Sequence, residues 1–327
     1  MGSTDRRGLG LALCAGAAAA YSTAGYFTRL IPLDVWTILF WRGLFAGGFV
    51  AACFVWQQGR GAAGGIRAIG WPGLLATACS GLATILFINA FRLTSVADVV
   101  IIFATAPFLT AAIARAWFGT RESGATLAAS AAALVGVTVM MGGASMQGHL
   151  AGDLLAVGMT VLMATMMVII RQYRQTPMLP AASASAFLCA LLALPLAAPL
   201  SVTPGEMAEL ALFGVTQFGM GLLLLTLGTR LVSATESALV NTLEVPLAAL
   251  WVWLAFNEVP SWSTLAGGAM VVAAVVSHVV VGEAGRAART SPLPLCGRGG
   301  SRSEPGEGAR APSALAYPAA QSGRTER

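Results

Sequence analysis

The residues with the clearest capacity for chemistry lie on one stretch of apolar sequence in the last third of the chain. Asn241, Glu244 and Trp251 stand at positions i, i+3 and i+10, which places an amide, a carboxylate and an indole on one helix face. Pro246 lies among them and leaves one backbone carbonyl without its usual hydrogen bond. The pattern predicts the polar wall of a cavity; the alternative is a polar stripe that bonds one helix to its neighbour.

Other polar side chains interrupt long apolar runs, where a group without a partner is costly and an ionisable group is a functional candidate. Asp98 and Thr105 share one helix face ahead of a second proline, Pro107. A solvated cap is the alternative for Asp98, and close helix packing is the alternative for Ser80. We predict that further substrate contacts come from Gln217, Asp98, Ser80 and Tyr26.

Two arginines and a histidine also interrupt apolar runs. Arg42 and Arg92 fall in the outer half of the predicted bundle, and Arg42 either extends to the surface or pairs with Asp34 or Asp98. His278 stands alone in its segment, without a second metal ligand or base nearby in sequence. We expect it to be a packed or interfacial histidine rather than part of a proton relay.

The composition of the chain indicates what surrounds these groups. Of its 327 residues, 57% are hydrophobic and 10% are charged, and the mean hydropathy is +0.76. Soluble domains carry about 25% charged residues, so lipid must cover much of this surface. The net charge is +5, but the arginines stand singly or in pairs between apolar runs, which argues against nucleic-acid binding. The cysteines form no CxxC pair, and we expect neither a metal nor a cofactor.

Ten apolar segments have about the length that an α-helix needs to cross a bilayer. Numbered as helices 1 to 10 in chain order, they cover residues 8–28, 35–56, 70–91, 96–118, 124–142, 151–170, 181–200, 207–229, 234–256 and 262–281. The runs are continuous rather than alternating, which argues against a β-barrel. The first run follows Arg6 and Arg7 as in a signal peptide, but nine more runs favour a first membrane helix. The sequence therefore predicts an all-α integral membrane protein.

The distribution of charge predicts the orientation of the chain. With the N-terminus in the cytoplasm, the inner loops hold Arg6, Arg7, Arg60, Arg67, Arg115, Arg121, Arg171, Arg174 and Arg230. The outer loops instead collect the acids Asp34, Asp153, Glu206, Glu209 and Glu258. Because cytoplasmic loops are rich in arginine, we predict a multi-pass protein of the cell inner (plasma) membrane with both termini in the cytoplasm.

The two halves of the chain repeat each other. A shift of 142 residues places Gly10 on Gly152, and helix 4 aligns with helix 9 when Pro107 is placed on Pro246. Each proline precedes a long apolar run that ends in an acid. We predict that these two prolines are hinges.

Each repeat contains five helices. Because five is an odd number, the second copy enters the membrane from the opposite side. Inverted repeats of this kind are a common transporter architecture, in which two similar halves alternate around a central site. We assign residues 1–142 and 143–281 to the two repeats. Residues 282–327, rich in Gly, Pro, Ser and Arg, are predicted to form a disordered cytoplasmic tail.

Sequence motifs of enzymes are not found. Cys79-Ser80-Gly81 lacks the GxSxG elbow of a serine hydrolase, and the chain has no HExxH metal motif and no P-loop for ATP. We therefore predict that the protein is not an enzyme and does not hydrolyse ATP itself.

Several segments resemble the EamA-type drug/metabolite transporter superfamily. They are Trp41-Arg42 opening helix 2, Gly152-Asp153-Leu154-Leu155 opening helix 6, Thr242 to Leu247 in helix 9, and Phe256-Asn257-Glu258. The resemblance covers residues 8–281 and implies ten helices, inverted five-helix repeats, cytoplasmic termini and a central cavity. Members of the superfamily export amino acids, other metabolites or toxic compounds, and one branch exports aromatic and other neutral amino acids. The Leu-Glu-Pro often found in helix 9 departs here, because Val245 separates Glu244 from Pro246.

These observations predict a monomeric secondary transporter that lies in the lipid bilayer and exports amino acids or similar small metabolites. One alternative is transport of sugars, nucleotide-sugars or lipids, which share the architecture. Another is a membrane scaffold or lipid-modifying protein in which the polar stripe serves only helix packing. Proton antiport and facilitated diffusion both remain open as modes of energy coupling.

Overall fold

The computed structural model describes residues 3–94, 96–141, 150–257 and 259–290. Within these ranges the secondary structure is helical and contains no strand. The first repeat contains helix 1 (Ser3–Ser22 and Ala24–Leu30), helix 2 (Val35–Gln58), helix 3 (Gly70–Leu93), helix 4 (Val96–Phe103 and Ala106–Phe118) and helix 5 (Gly124–Met140). Short helical turns at Gly59–Gly61 and Ala62–Arg67 connect helix 2 to helix 3.

The second repeat has the same order of elements. It contains helix 6 (Leu150–Gln172), helix 7 (Leu179–Ala193, extended by a 3₁₀ turn at Leu194–Leu196), helix 8 (Pro204–Leu212, Phe213–Gly219 and Met220–Thr229), helix 9 (Ala234–Asn241 and Glu244–Phe256) and helix 10 (Trp262–Thr290). A further 3₁₀ turn at Pro199–Ser201 precedes helix 8.

The helices have the length and composition of membrane spans. In the part of the chain that the structure describes, nine helical spans are long and apolar enough to cross a membrane. Gly124–Met140 is shorter, at 17 residues, which rise about 26 Å and reach the lower limit for a span. The prediction of an all-α integral membrane protein is therefore confirmed.

Side-chain caps define where several helices begin. The Asp34 carboxylate accepts hydrogen bonds from the backbone N–H groups of Trp36 and Thr37, at 2.9 and 3.0 Å, and so caps helix 2. Desolvation alone would raise the pKa of Asp34, but the hydrogen bonds from Thr37 and Trp36 lower it overall. At the start of helix 9, Ser233 and Glu236 form a capping box.

Helices 4 and 9 are each interrupted just before the proline that the repeat aligns. Proline lacks the N–H that an uninterrupted helix needs and its ring collides with the preceding turn. In both helices a threonine hydroxyl, of Thr105 or of Thr242, donates to the carbonyl three residues earlier at 2.6 Å. The two breaks lie next to Pro107 and Pro246, so the repeats share the interruption as well as the residue that causes it.

The packing of the helices follows the internal repeat. Helix 3 packs against helix 6, and the equivalent helices 8 and 1 pack against each other. Helix 2 packs against helix 7, helix 4 against helix 9, and helix 5 against helix 10, so each of these pairs joins equivalent helices. If each helix is replaced by its equivalent in the other repeat, the same pairs result, as two related halves require.

Two aligned glycines make equivalent contacts in the two halves. A Cβ atom at Gly10 would lie 2.7 Å from Leu231 Cβ, just after the end of helix 8. A Cβ atom at Gly152 would lie 2.6 Å from Thr94 Cβ, just after the end of helix 3. Only glycine permits this backbone approach, so the alignment at a shift of 142 matches positions with the same packing role.

Helix 10 continues to Thr290, beyond residue 281 where the predicted span ends. Residues 291–327, most of the predicted tail, lie outside the described residues, as does Glu258, the acid that follows helix 9 in the sequence.

Candidate functional site

A cavity of about 550 Å³ lies between the two repeats. Its wall comes from helices 1 to 6 and 8 to 10, with no contribution from helix 7 among the described residues. Most of the lining is apolar. The polar side chains of the wall are Tyr21, Arg42, Ser80, Thr84, Gln217, Asn241, Glu244 and Thr264.

The predicted polar stripe of helix 9 reaches the cavity at Asn241 and Glu244. The Asn241 side chain is buried, and its Nδ2 donates to Glu244 Oε2 at 3.4 Å. Its Oδ1 is buried without a hydrogen-bond partner among the described residues. Since the helix is interrupted between these two residues, the free acceptor and the carboxylate lie side by side at the break.

Gln217 reaches the same cavity from helix 8. It belongs to the π-helical segment Phe213–Gly219, in which an extra residue per turn locally widens the helix. Its Nε2 donates to the backbone carbonyl of Tyr21 at 3.4 Å, and its buried Oε1 has no hydrogen-bond partner within the described ranges. The structure thus brings together Gln217, Asn241 and Glu244, three of the residues predicted to contact substrate, and Ser80 lines the same cavity.

Flexible and aromatic side chains make up much of the apolar wall. Methionines line it from helices 5 and 6, and phenylalanines from helices 3, 4 and 8; they are Met140, Met141, Met159, Met163, Met166, Phe87, Phe103 and Phe218. Methionine adapts to irregular shapes, and aromatic rings offer flat apolar surface. Such a wall accepts a range of apolar groups next to a small polar region.

Trp251 and Tyr26 lie elsewhere than on this wall. Trp251 Nε1 donates to Ser22 Oγ at 2.9 Å, which ties helix 9 to helix 1. Tyr26 packs on the rings of Phe27 and Phe256, with centroids 5.2 and 5.9 Å away. Both side chains are polar and aromatic, but their described contacts join helices.

Asp98 is buried at the corner where helices 3, 4 and 6 meet. Thr94 Oγ1 lies 3.1 Å from Asp98 Oδ2 and 2.7 Å from Asp153 Oδ1. This threonine hydroxyl therefore connects carboxylates of the two repeats. Asp98 is not part of the lining of the cavity, although its neighbour Val99 is.

Arg42 and Tyr21 line the cavity but are not among the predicted contact residues. The Arg42 guanidinium carbon lies 4.6 Å from the centroid of Phe218 and 5.5 Å from that of Phe213. Asp34, one predicted partner of Arg42, instead caps helix 2. The sequence shows a charged residue, Arg42, inside an apolar run and so marks it as a candidate. The direction in which its side chain points depends on the contact between helices 2 and 8.

A buried polar cluster joins three helices at the end of the bundle where helix 1 begins, which we call the N-terminal end. Arg7 Nη2 lies 2.6 Å from Glu236 Oε1, and His278 Nε2 lies 3.4 Å from the same oxygen. These three buried side chains join helices 1, 9 and 10, so His278 is a packed histidine with an acidic neighbour. The cavity extends instead toward Val259 and Pro260 at the opposite, far end.

Comparisons with known proteins identify the family. The model of the EamA-like transporter family matches residues 8–142 and 150–279, one match for each repeat. A crystal structure described only as that of a protein has 18% sequence identity and a TM-score of 0.72, and the match covers 84% of this chain and 98% of that one; it supports the fold. No curated protein matches the chain. Because the family model covers most of the chain, and in two copies, this protein belongs to the EamA-like transporter family.

Proposed function

We propose that the protein is a secondary transporter that exports amino acids or similar small metabolites by alternating access around the cavity. Membership of the family makes it a membrane transporter of small molecules. The observation that carries the proposal is a pair of buried amide oxygens, of Gln217 and Asn241, that have no hydrogen-bond partner among the described residues. They belong to the same cavity wall as the Glu244 carboxylate. Buried acceptors without partners are costly, and the ammonium group of a substrate would supply the missing donors.

The size of the cavity supports a substrate of this class. Ligand pockets commonly measure about 300–1,000 Å³, and this cavity measures about 550 Å³. It combines a small polar region with a methionine- and phenylalanine-rich wall. An amino acid has the same division between a charged head and a variable side chain.

Alternating access is supported by the unequal ends of the bundle. We propose that the buried cluster of Arg7, Glu236 and His278 closes the N-terminal end, while the lining of the cavity reaches the far end. Exchange between an inward-open and an outward-open shape requires the two halves to rearrange around the site. The breaks beside Pro107 and Pro246 interrupt backbone hydrogen bonds within helices, and we propose them as the hinges.

We propose that the N-terminal end faces the cytoplasm at the inner membrane. The second cavity, of about 510 Å³, lies at this end and is lined by Arg121, Arg171 and Arg174. Arginine concentrates on the cytoplasmic side of membrane proteins. In this orientation the cavity extends toward the outer side of the membrane, the side on which an exporter releases its substrate.

The test is transport of radiolabelled compounds by purified protein in liposomes, with and without a pH gradient. The panel contains neutral amino acids, sugars, nucleotide-sugars and lipid headgroups. We expect neutral amino acids to move faster than in empty liposomes and to compete with one another. The Glu244→Gln variant should lose this activity, while Glu209→Gln, outside the cavity lining, should keep it.

Movement of sugars alone would replace amino acids as the substrate class. If no compound moves faster than in empty liposomes, the proposed substrates are wrong. The arm with a pH gradient separates proton antiport from facilitated diffusion, because only the first accumulates substrate against its own gradient.

A further inference from the structure

We infer that Arg42 is the group that recognises the carboxylate of the substrate, so that the cavity selects zwitterions with an apolar side chain. The inference rests on the proposed function and adds to it the chemistry by which the substrate is chosen. Three observations lead to it: the lack of a counter-ion, the aromatic support of the guanidinium, and the acceptors elsewhere on the same cavity wall.

The Arg42 side chain is a partly buried cation with no counter-ion among the described residues. Its Nε is buried and has no hydrogen-bond partner in the described part of the chain. Among the same residues, Glu236 forms its ion pair with Arg7, and no ion pair involves Arg42. A cation within a membrane bundle is expensive unless an anion or several acceptors face it. Because Arg42 lines the cavity, a substrate anion can reach it.

Aromatic rings and a close backbone contact hold Arg42 in place. The guanidinium lies near the rings of Phe213 and Phe218, both in the π-helical segment of helix 8. A Cβ atom at Gly214 would lie 2.9 Å from the Arg42 carbonyl oxygen, so the two backbones nearly touch there. Cation–π contacts support the guanidinium without neutralising its charge. A guanidinium has several planar donors, so those that do not face the neighbouring Cys189 thiol stay available for a carboxylate.

The acceptors on the same wall complete the recognition of a zwitterion. Glu244 and the amide oxygens of Gln217 and Asn241, which have no hydrogen-bond partner in the described ranges, are acceptors and supply no cation. Arg42 and Glu244 line the same cavity, which places the basic and acidic groups around one space. A substrate ammonium group would face the acceptors while its carboxylate faces Arg42. The methionine-rich wall would receive the side chain.

The experiment compares three competitors of a transported amino acid in liposomes: the same amino acid, its carboxamide, and the amine that lacks the carboxyl group. We expect the wild type to prefer the amino acid by about tenfold or more, as for a charge-assisted hydrogen bond. Arg42→Gln should lose the preference, and Arg42→Lys should keep part of it because it retains the charge but not the planar fork.

Arg29→Gln is the matched control. Arg29 also lies over a phenylalanine ring, that of Phe256 at 5.5 Å, but it is exposed at the end of helix 1 and outside the cavity lining. It should keep the full preference for the carboxylate. A wild type that does not distinguish the amino acid from its carboxamide would overturn the inference, whatever the variants do. So would Arg42→Gln protein that keeps the discrimination.

A second measurement separates this inference from the proposed function. The melting temperature of purified protein is followed with isovalerate and with isovaleramide, which differ in the carboxylate alone. Stabilisation of the wild type and of Arg29→Gln by isovalerate, but not of Arg42→Gln, supports Arg42 even if no amino acid is transported. Equal stabilisation by the two compounds, or none by isovalerate, counts against it.

Discussion

Arg7 and Glu236 lie 229 residues apart in the chain, and Arg7 donates from Nε and Nη2 to the same carboxylate oxygen, at 3.1 and 2.6 Å. One residue opens the first helix of the first repeat and the other opens the fourth helix of the second repeat. The pair therefore links the two halves of the chain at the N-terminal end. His278 adds a third helix to the same contact.

We expect Glu236→Gln to open this end more often. Removing one partner of a buried ion pair leaves an uncompensated charge and costs about 3–5 kcal/mol in typical cases. Cys14 is a natural reporter, because it is fully buried near this cluster and its Sγ lies 3.4 Å from Ser237 Oγ. The rate of Cys14 alkylation, measured by mass spectrometry, should rise about tenfold or more, with a lower melting temperature.

Glu206→Gln is a matched control, since Glu206 forms a capping box with Thr203 near the start of helix 8 and touches no part of the cluster. It should leave Cys14 protected. Unchanged alkylation in Glu236→Gln, in protein that is still folded, would show that the ion pair does not close this end.

Asn241→Ala should weaken substrate binding without a large loss of stability. The substitution removes Oδ1, which has no hydrogen-bond partner among the described residues. It also removes a long hydrogen bond, of 3.4 Å, to Glu244. The KM for transport should rise about tenfold while the melting temperature changes by a few degrees at most. An unchanged KM together with a large fall in melting temperature would identify Asn241 as a packing residue.

Trp251→Phe should affect stability more than substrate choice. The indole Nε1 donates to Ser22 Oγ, and a buried hydrogen bond of this type contributes about 1 kcal/mol. We expect a slightly lower melting temperature and the same order of preference among competing amino acids. A changed order of preference would instead support the direct substrate contact predicted from the sequence.

Gly10→Ala and Gly152→Ala should destabilise the protein to a similar extent. Each new methyl group would lie within 3 Å of a side chain at the end of the helix packed against it, and overpacking of this kind costs about 1–3 kcal/mol. Gly8→Ala is the control in the same helix, because a Cβ atom there meets nothing within 4 Å. Thermal unfolding in detergent measures all three variants. A Gly8→Ala loss as large as the other two would exclude the packing explanation.

The pattern of apolar residues is sufficient to predict the class of the protein and the approximate positions of its spans. Long apolar runs with few charges leave only helices in lipid, because each backbone N–H and C=O must be bonded within its own segment. The aligned prolines, Pro107 and Pro246, located the two helix breaks, since proline interrupts a helix by its covalent structure. The spacing of Asn241 and Glu244 placed them on one face, and both reach the cavity.

The identity of the neighbour that packs against each side of a helix depends on the tertiary structure. Helical periodicity shows which residues share a side of a helix, but not which helix packs there. Trp251 shares the stripe of Asn241, yet it bonds Ser22 because helix 1 packs beside the second half of helix 9. Arg42 reaches the cavity through the contact of helix 2 with the π-helical segment of helix 8, a relationship between residues about 170 positions apart that local sequence does not encode.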